Sequence, residues 1–136
     1  DVINLMITTP GGDMNAALAL INVIRASSIP IRTIALGETM SAGLVILMSG
    51  HQRIVTPYTT LMSHIFSTGA EGNYHQLKNA MEEIKRTNQR MIDFYVEFTG
   101  LEPKYIKRKF LGLSDAYISH ESALKHNMID LISDLS

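Results

Sequence analysis

Among its 136 residues the sequence has no cysteine and no tryptophan. The first absence excludes a disulfide framework and any thiolate nucleophile, and is compatible with a reducing compartment. An excess of charge of one sign is also missing. Twelve basic residues stand against thirteen acidic ones, for a net charge of -1, so nothing electrostatic points to nucleic acid or an anionic membrane as partner. The apolar run that follows Glu38 ends at Gly50 and is too short to span a bilayer. No signal peptide, repeat or low-complexity segment is visible. What remains is 46% apolar residues in a length that suits one domain with a real core.

Val2 to Thr8 reads as a strand buried on both faces. Because a strand stands at the very start, the chain reads as a fragment of a longer protein with N-terminal material missing. Thr9-Pro10-Gly11-Gly12-Asp13 breaks the strand, and its glycines allow close approach to the main chain. Met14 to Ala26 is a helix that Asp13 can cap, Ile31 to Leu36 a second strand, and the pattern β-α-β-α predicts a parallel sheet. Two short strands follow, His51 to Thr56 and Thr60 to His64, then a loop from Ile65 to Gly72. Asn73 to Thr99 is the longest helix, about 40 Å, with Leu77, Met81, Ile84, Met91, Tyr95 and Phe98 on one face, interrupted at Asn88. Glu82 and Arg86 are spaced for an i,i+4 pair, and Gly100 stands where a C-terminal glycine belongs. The long helix either protrudes and packs on another subunit or lies flat across the domain. Glu102 to Phe110 is a basic helix, Ala116 to Ile118 a short strand, and Ser119 caps a helix to His126. Asn127 suits a left-handed position, and Met128 to Ile132 is a last strand.

The chemistry centres on Gly37-Glu38-Thr39-Met40-Ser41-Ala42-Gly43, where small residues surround one hydroxyl at a strand-to-helix turn. Ser41 is open to two readings: an ordinary N-cap, or a nucleophile beside outward-facing helix N–H groups that can hold an oxyanion. A serine nucleophile needs a base, and the base an orienting carboxylate. His64 and Asp115 sit at comparable strand ends, where parallel sheets bind ligands. Alone, His64 reads more readily as a hydrogen-bonded strand-end residue than as a base, and Asp115 as a turn residue. His51, His75, His120 and His126 read as surface residues, and no pair of them has metal-ligand spacing in strand context. Met81 and Met91 read as packing residues, and Lys104, Lys107, Arg108 and Lys109 as a solvated basic face.

Taken in order, Thr9-Pro10-Gly11-Gly12, Gly37 to Gly43, Met62-Ser63-His64, Asp115 to Ser119 and Glu121-Ser122-Ala123 resemble the motifs of the proteolytic subunit of the Clp protease, the caseinolytic protease P family. The resemblance spans nearly the whole chain and identifies it as a divergent or N-terminally truncated member. It implies an α/β fold of the Clp/crotonase type, built of repeated β-β-α units with a protruding long helix, the handle. Residues 1–136 would be a single catalytic domain that lacks the family's N-terminal segment, with the handle at 65–99. Carried over by position, the resemblance makes Ser41 the nucleophile, His64 the general base and then acid, and Asp115 the orienting carboxylate. The backbone N–H groups of Gly12 and Ala42 would form the oxyanion hole. It further implies an ATP-dependent cytoplasmic serine endopeptidase with no cofactor or metal. Such a subunit assembles into seven-membered rings, stacked in pairs in the family, around a chamber. An ATP-driven unfoldase ring feeds unfolded polypeptide into that chamber. Ile65-Phe66 stands where the family has Gln-Pro, Gly112-Leu113-Ser114 where it has charged residues before the carboxylate, and Ala42 where it has methionine. Two other functions share the fold: a non-catalytic ring subunit or scaffold, and a crotonase-like acyl-CoA enzyme, which commonly uses carboxylates in place of a serine.

Overall fold

In the computed structural model, which describes residues 1–136, the chain opens with β1 (Ile3–Thr9), passes through α1 (Met14–Ala26) and returns in β2 (Ile31–Met40). After a single residue comes α2 (Ala42–Met48), then β3 (Gln52–Val55), β4 (Thr60–Ser63) and α3 (Tyr74–Thr99). The chain closes with α4 (Pro103–Lys109), β5 (Ala116–Ile118), α5 (His120–Lys125) and β6 (Leu131–Ile132).

The sheet is organised by β2, and β2 by a bulge. The first half of β2 pairs in parallel with β3, from Arg32 opposite Gln52 to Ala35 opposite Val55. Its second half pairs in parallel with β4, from Glu38 opposite Thr60 to Met40 opposite Met62. On the β1 side the register jumps from Ile7 opposite Ala35 to Thr9 opposite Thr39. Gly37, at φ +59, takes the left-handed conformation that such a bulge requires. The sequence places the strand's end at Leu36. The structure carries it to Met40, because Gly37 re-aims the strand instead of ending it. Thr39 then buries its side chain, and its Oγ1 donates to the Ile7 carbonyl at 3.1 Å.

β1 corrects a second expectation. It is an edge strand whose only partner is β2. Leu5 and Ile7 face inward, but Val2, Ile3 and Met6 are each about half exposed. An apolar run therefore does not mean burial on both faces here. The last strand is shorter than Met128 to Ile132, since Met128 and Ile129 are buried in the turn before β6. β5 lies antiparallel to β4, so the sheet is mixed.

The core forms around α2, which is apolar on every side and therefore buried. Leu44, Val45 and Leu47 have no exposure at all. They pack with Ala17 and Ile21 of α1 and with Met91, Tyr95 and Phe98 of α3 in one cluster. The 26 residues of α3 span about 39 Å. Asn73 and Gln76 close a capping box at its start, and Gly100 at φ +74 ends it. Only its C-terminal half is buried. Leu77 and Met81, on the same stripe, are exposed, so the helix leaves the domain at its N-terminal end. Arg86 pairs with Glu83 at 2.9 Å instead of Glu82, and both are well exposed, so the pair contributes little. His120 and His126 are half-buried, not surface residues. Nε2–H of His120 donates to the Thr59 carbonyl at 2.6 Å, and Nδ1–H of His126 to the Ser122 carbonyl at 2.7 Å.

Arg53 on β3 ties the last turn to the sheet. Its side chain is almost fully buried. Nε and Nη2 donate to the two Asp130 oxygens at 3.0 and 2.8 Å, and Nη1 to the carbonyl of Asn127 at 2.9 Å. Those hydrogen bonds hold the Asp130 carboxyl below its usual range. Arg53→Ala is expected to lower stability by about 3 kcal/mol. That is the low end for breaking a buried pair, because the Asp130 carboxylate is partly exposed and can be rehydrated. Thermal unfolding should fall by about 10 °C. The folded Asp130 pKa is depressed, so its contribution is present above the unfolded value of about 4 and is lost as pH falls through the folded one. The gap between wild type and Arg53→Ala should therefore narrow below about pH 4.

Candidate active site

One residue separates β2 from α2, and that residue is Ser41. Turning a strand into a helix within one residue forces φ 55, ψ -119, a conformation that costs a side-chain-bearing residue about 1–3 kcal/mol and must be held from outside. It is held on both sides. The Ser41 N–H donates to the Met62 carbonyl of β4 at 2.8 Å, and its own carbonyl accepts from Leu44 N–H at 3.1 Å. The side chain makes no cap hydrogen bond. Its Oγ lies 2.8 Å from Nε2 of His64. Of the two readings open for Ser41, the ordinary N-cap is not the geometry it adopts.

His64 arrives there by register. Met40 is opposite Met62, so the residue just past the end of β4 stands beside the residue just past the end of β2. Asp115 immediately precedes β5, and the antiparallel register sets Ser63 opposite Ala116. This brings Oδ1 of Asp115 to 3.1 Å from Nδ1 of His64. An ionised carboxylate only accepts, so the ring proton sits on Nδ1, and Nε2 is left to accept from the Ser41 hydroxyl. The side chains of His64 and Asp115 are 32% and 53% exposed, so the constellation opens to solvent.

Ser63 fixes the end of β4, and sequence reasoning missed it. It has no exposed surface. Its Oγ donates to the Phe110 carbonyl at 2.7 Å and accepts from the Tyr95 hydroxyl. Burial pushes the Tyr95 phenol well above its ordinary pKa, so it stays a donor. A serine beside a histidine carries no sign of this role in sequence, because its partners lie 32 and 47 residues away.

The segment between β1 and α1 closes the other side. A Cβ on Gly11, at φ +117, would lie 3.0 Å from Ser41 Cβ and 3.3 Å from the Met40 carbonyl. Only glycine fits there without displacing the serine. Thr9 fixes the loop, with its Oγ1 3.2 Å from both the N and the O of Gly11. Gly12, at φ +150, has open space beside it. Ala42 is the first residue of α2, so its N–H has no acceptor within the helix. A cavity of about 380 Å³ runs from Gly12 between Phe66–Thr68 and the α3 residues Ile84 and Thr87. Gly11→Ala is expected to reduce turnover of any substrate of this site by about a hundredfold, the effect of shifting a reacting group by roughly 1 Å. The fold should persist, as judged by circular dichroism. No three His, Asp or Glu side chains gather as ligands for a metal ion.

The mixed sheet, the buried α2 and the long α3 define an α/β protein of the Clp protease fold. The family model described as Clp protease matches residues 1–135, and the chain belongs to that family. The ATP-dependent Clp protease proteolytic subunit of Deinococcus radiodurans is 33% identical over 134 residues. The match covers 97% of this chain and 65% of that protein. No helix of the chain is long and apolar enough to cross a membrane.

Proposed function

We propose that the chain carries the catalytic centre of a Clp-type serine endopeptidase, with Ser41 as nucleophile, His64 as base and then acid, and Asp115 as the carboxylate that orients His64. The observation that carries this reading is the relay itself: 2.8 Å from Ser41 Oγ to His64 Nε2 and 3.1 Å from His64 Nδ1 to Asp115. His64 takes the hydroxyl proton as Oγ bonds to the scissile carbonyl carbon. The oxyanion that forms is held by the N–H groups of Gly12 and Ala42, each such donor contributing about 3 kcal/mol to the transition state. Nε2 then gives the proton to the departing amine, leaving an acyl-enzyme. A water molecule, deprotonated by the same nitrogen, releases the acid. The cavity beside Gly12 takes a side chain next to the scissile bond.

In this reading residues 1–136 form one catalytic domain, with 65–99 as the handle, and the exposed Leu77 and Met81 stripe of α3 meets another copy. The assembly is a homo-oligomer of seven-membered rings, single or stacked in pairs. An ATP-driven unfoldase supplies unfolded polypeptide, and the protein is cytoplasmic and needs no cofactor. The test is hydrolysis of a short fluorogenic peptide by the assembled protein without ATP. Turnover supports the peptidase; assembly without turnover makes the chain a ring scaffold.

A further inference from the structure

A second groove lies between α3 and α4. It has a volume of about 410 Å³ and is lined by Ile65, Lys85, Asn88, Gln89, Ile92, Lys107 and Leu111. Its chemistry is of three kinds. Ile65, Ile92 and Leu111 offer an apolar surface. Lys85 and Lys107 border it from different helices, and neither belongs to any of the chain's four ion pairs. Asn88 has a buried Oδ1 with no hydrogen-bond partner. A buried carbonyl without a partner is unfavourable unless something supplies a donor. Asn88 lines the groove, and the second torsion of asparagine is soft, so its amide can turn toward a donor placed there. Nearby acidic groups are engaged or face elsewhere. Asp93 accepts from Gln89 at 2.9 Å, and Glu83 pairs with Arg86. Glu82 lines, together with Lys85, the neighbouring cavity of Tyr74, Leu77 and Met81 but forms no ion pair with that lysine.

We propose that this groove binds the C-terminal residue of a peptide. The terminal carboxylate would lie between Lys85 and Lys107, in charge-assisted hydrogen bonds. The last residue's N–H would donate to Asn88 Oδ1, and its apolar side chain would rest on Ile65, Ile92 and Leu111. One chemical unit thus meets all three features, and an acidic side chain, which carries no adjacent apolar group, meets only one. Ile65 of the groove follows His64 directly in the chain. Peptide hydrolysis would generate such C-terminal ends, and that link alone rests on the proposed function.

The test uses the Ser41→Ala protein, so that binding is read without turnover. Fluorescence anisotropy is measured with fluorescein-Gly-Ser-Ala-Leu as the free acid, as the C-terminal amide, and as an amide with glutamate in place of serine. The free acid should bind at least about tenfold tighter than either amide, the value of a lost charged hydrogen bond. Its affinity should fall with added salt. Lys85→Gln, Lys107→Gln and Asn88→Leu should each weaken it severalfold, and Lys104→Gln should leave it unchanged. Equal binding of acid and amide, glutamate-amide binding as tight as the acid, or no saturable binding up to millimolar peptide would each overturn the proposal. None of these outcomes bears on whether wild-type protein hydrolyses a peptide.

Discussion

Ser41→Ala is expected to lower kcat for a short peptide by about a million-fold, with folding and assembly unchanged. The fold should tolerate the change because the hydroxyl contributes nothing to the helix it precedes: its only hydrogen bond goes to His64. The strained backbone at φ 55 is held by main-chain hydrogen bonds to Met62 and Leu44, which alanine keeps. The residual rate should come from binding and from the Gly12 and Ala42 amides. Adding His64→Ala to Ser41→Ala should therefore cost almost nothing more, since the two residues act as one unit. A single variant retaining more than about a hundredth of wild-type turnover contradicts the assignment, whatever its stability.

The second large effect is expected at Asp115. Asp115→Asn should reduce kcat by about ten-thousandfold with little change in KM. The carboxylate accepts the Nδ1 proton of His64 across 3.1 Å. An amide can turn its NH₂ to that nitrogen, which moves the ring proton to Nε2, where it faces Ser41 and blocks proton abstraction. Asp115→Asn should for this reason be no more active than Asp115→Ala, although it is the closer match in shape. Thermal stability should hardly move, because the Asp115 side chain is 53% exposed and its interactions are screened by solvent. A loss of less than tenfold would mean that some other group orients His64.

The three residues of the candidate site were legible in the sequence, but not what holds them. Ser41, His64 and Asp115 each follow or precede a strand, and the parallel register of β2 with β4 and the antiparallel register of β4 with β5 do the rest. What could not be read was Gly37. A glycine after an apolar run looks like an end, and its role as a bulge appears only through the partners on either side of β2. The same limit hid Ser63 with Tyr95 and Phe110, and Arg53 with Asp130, 77 residues apart. Such contacts carry no local period or spacing. The apolar pattern of β1 misled for the opposite reason. Composition reports what a strand can bury, and β1 has only one neighbouring strand to bury it against.

The most direct measurement is the site of covalent labelling by a fluorophosphonate, mapped by mass spectrometry of tryptic peptides. The adduct should fall on Ser41, in the peptide spanning residues 33–53. It should disappear in Ser41→Ala, weaken strongly in His64→Ala, and persist in Ser49→Ala, whose hydroxyl is buried and donates to the Ile46 carbonyl. Labelling at any other serine, or equal labelling of Ser41→Ala and wild type, contradicts the account.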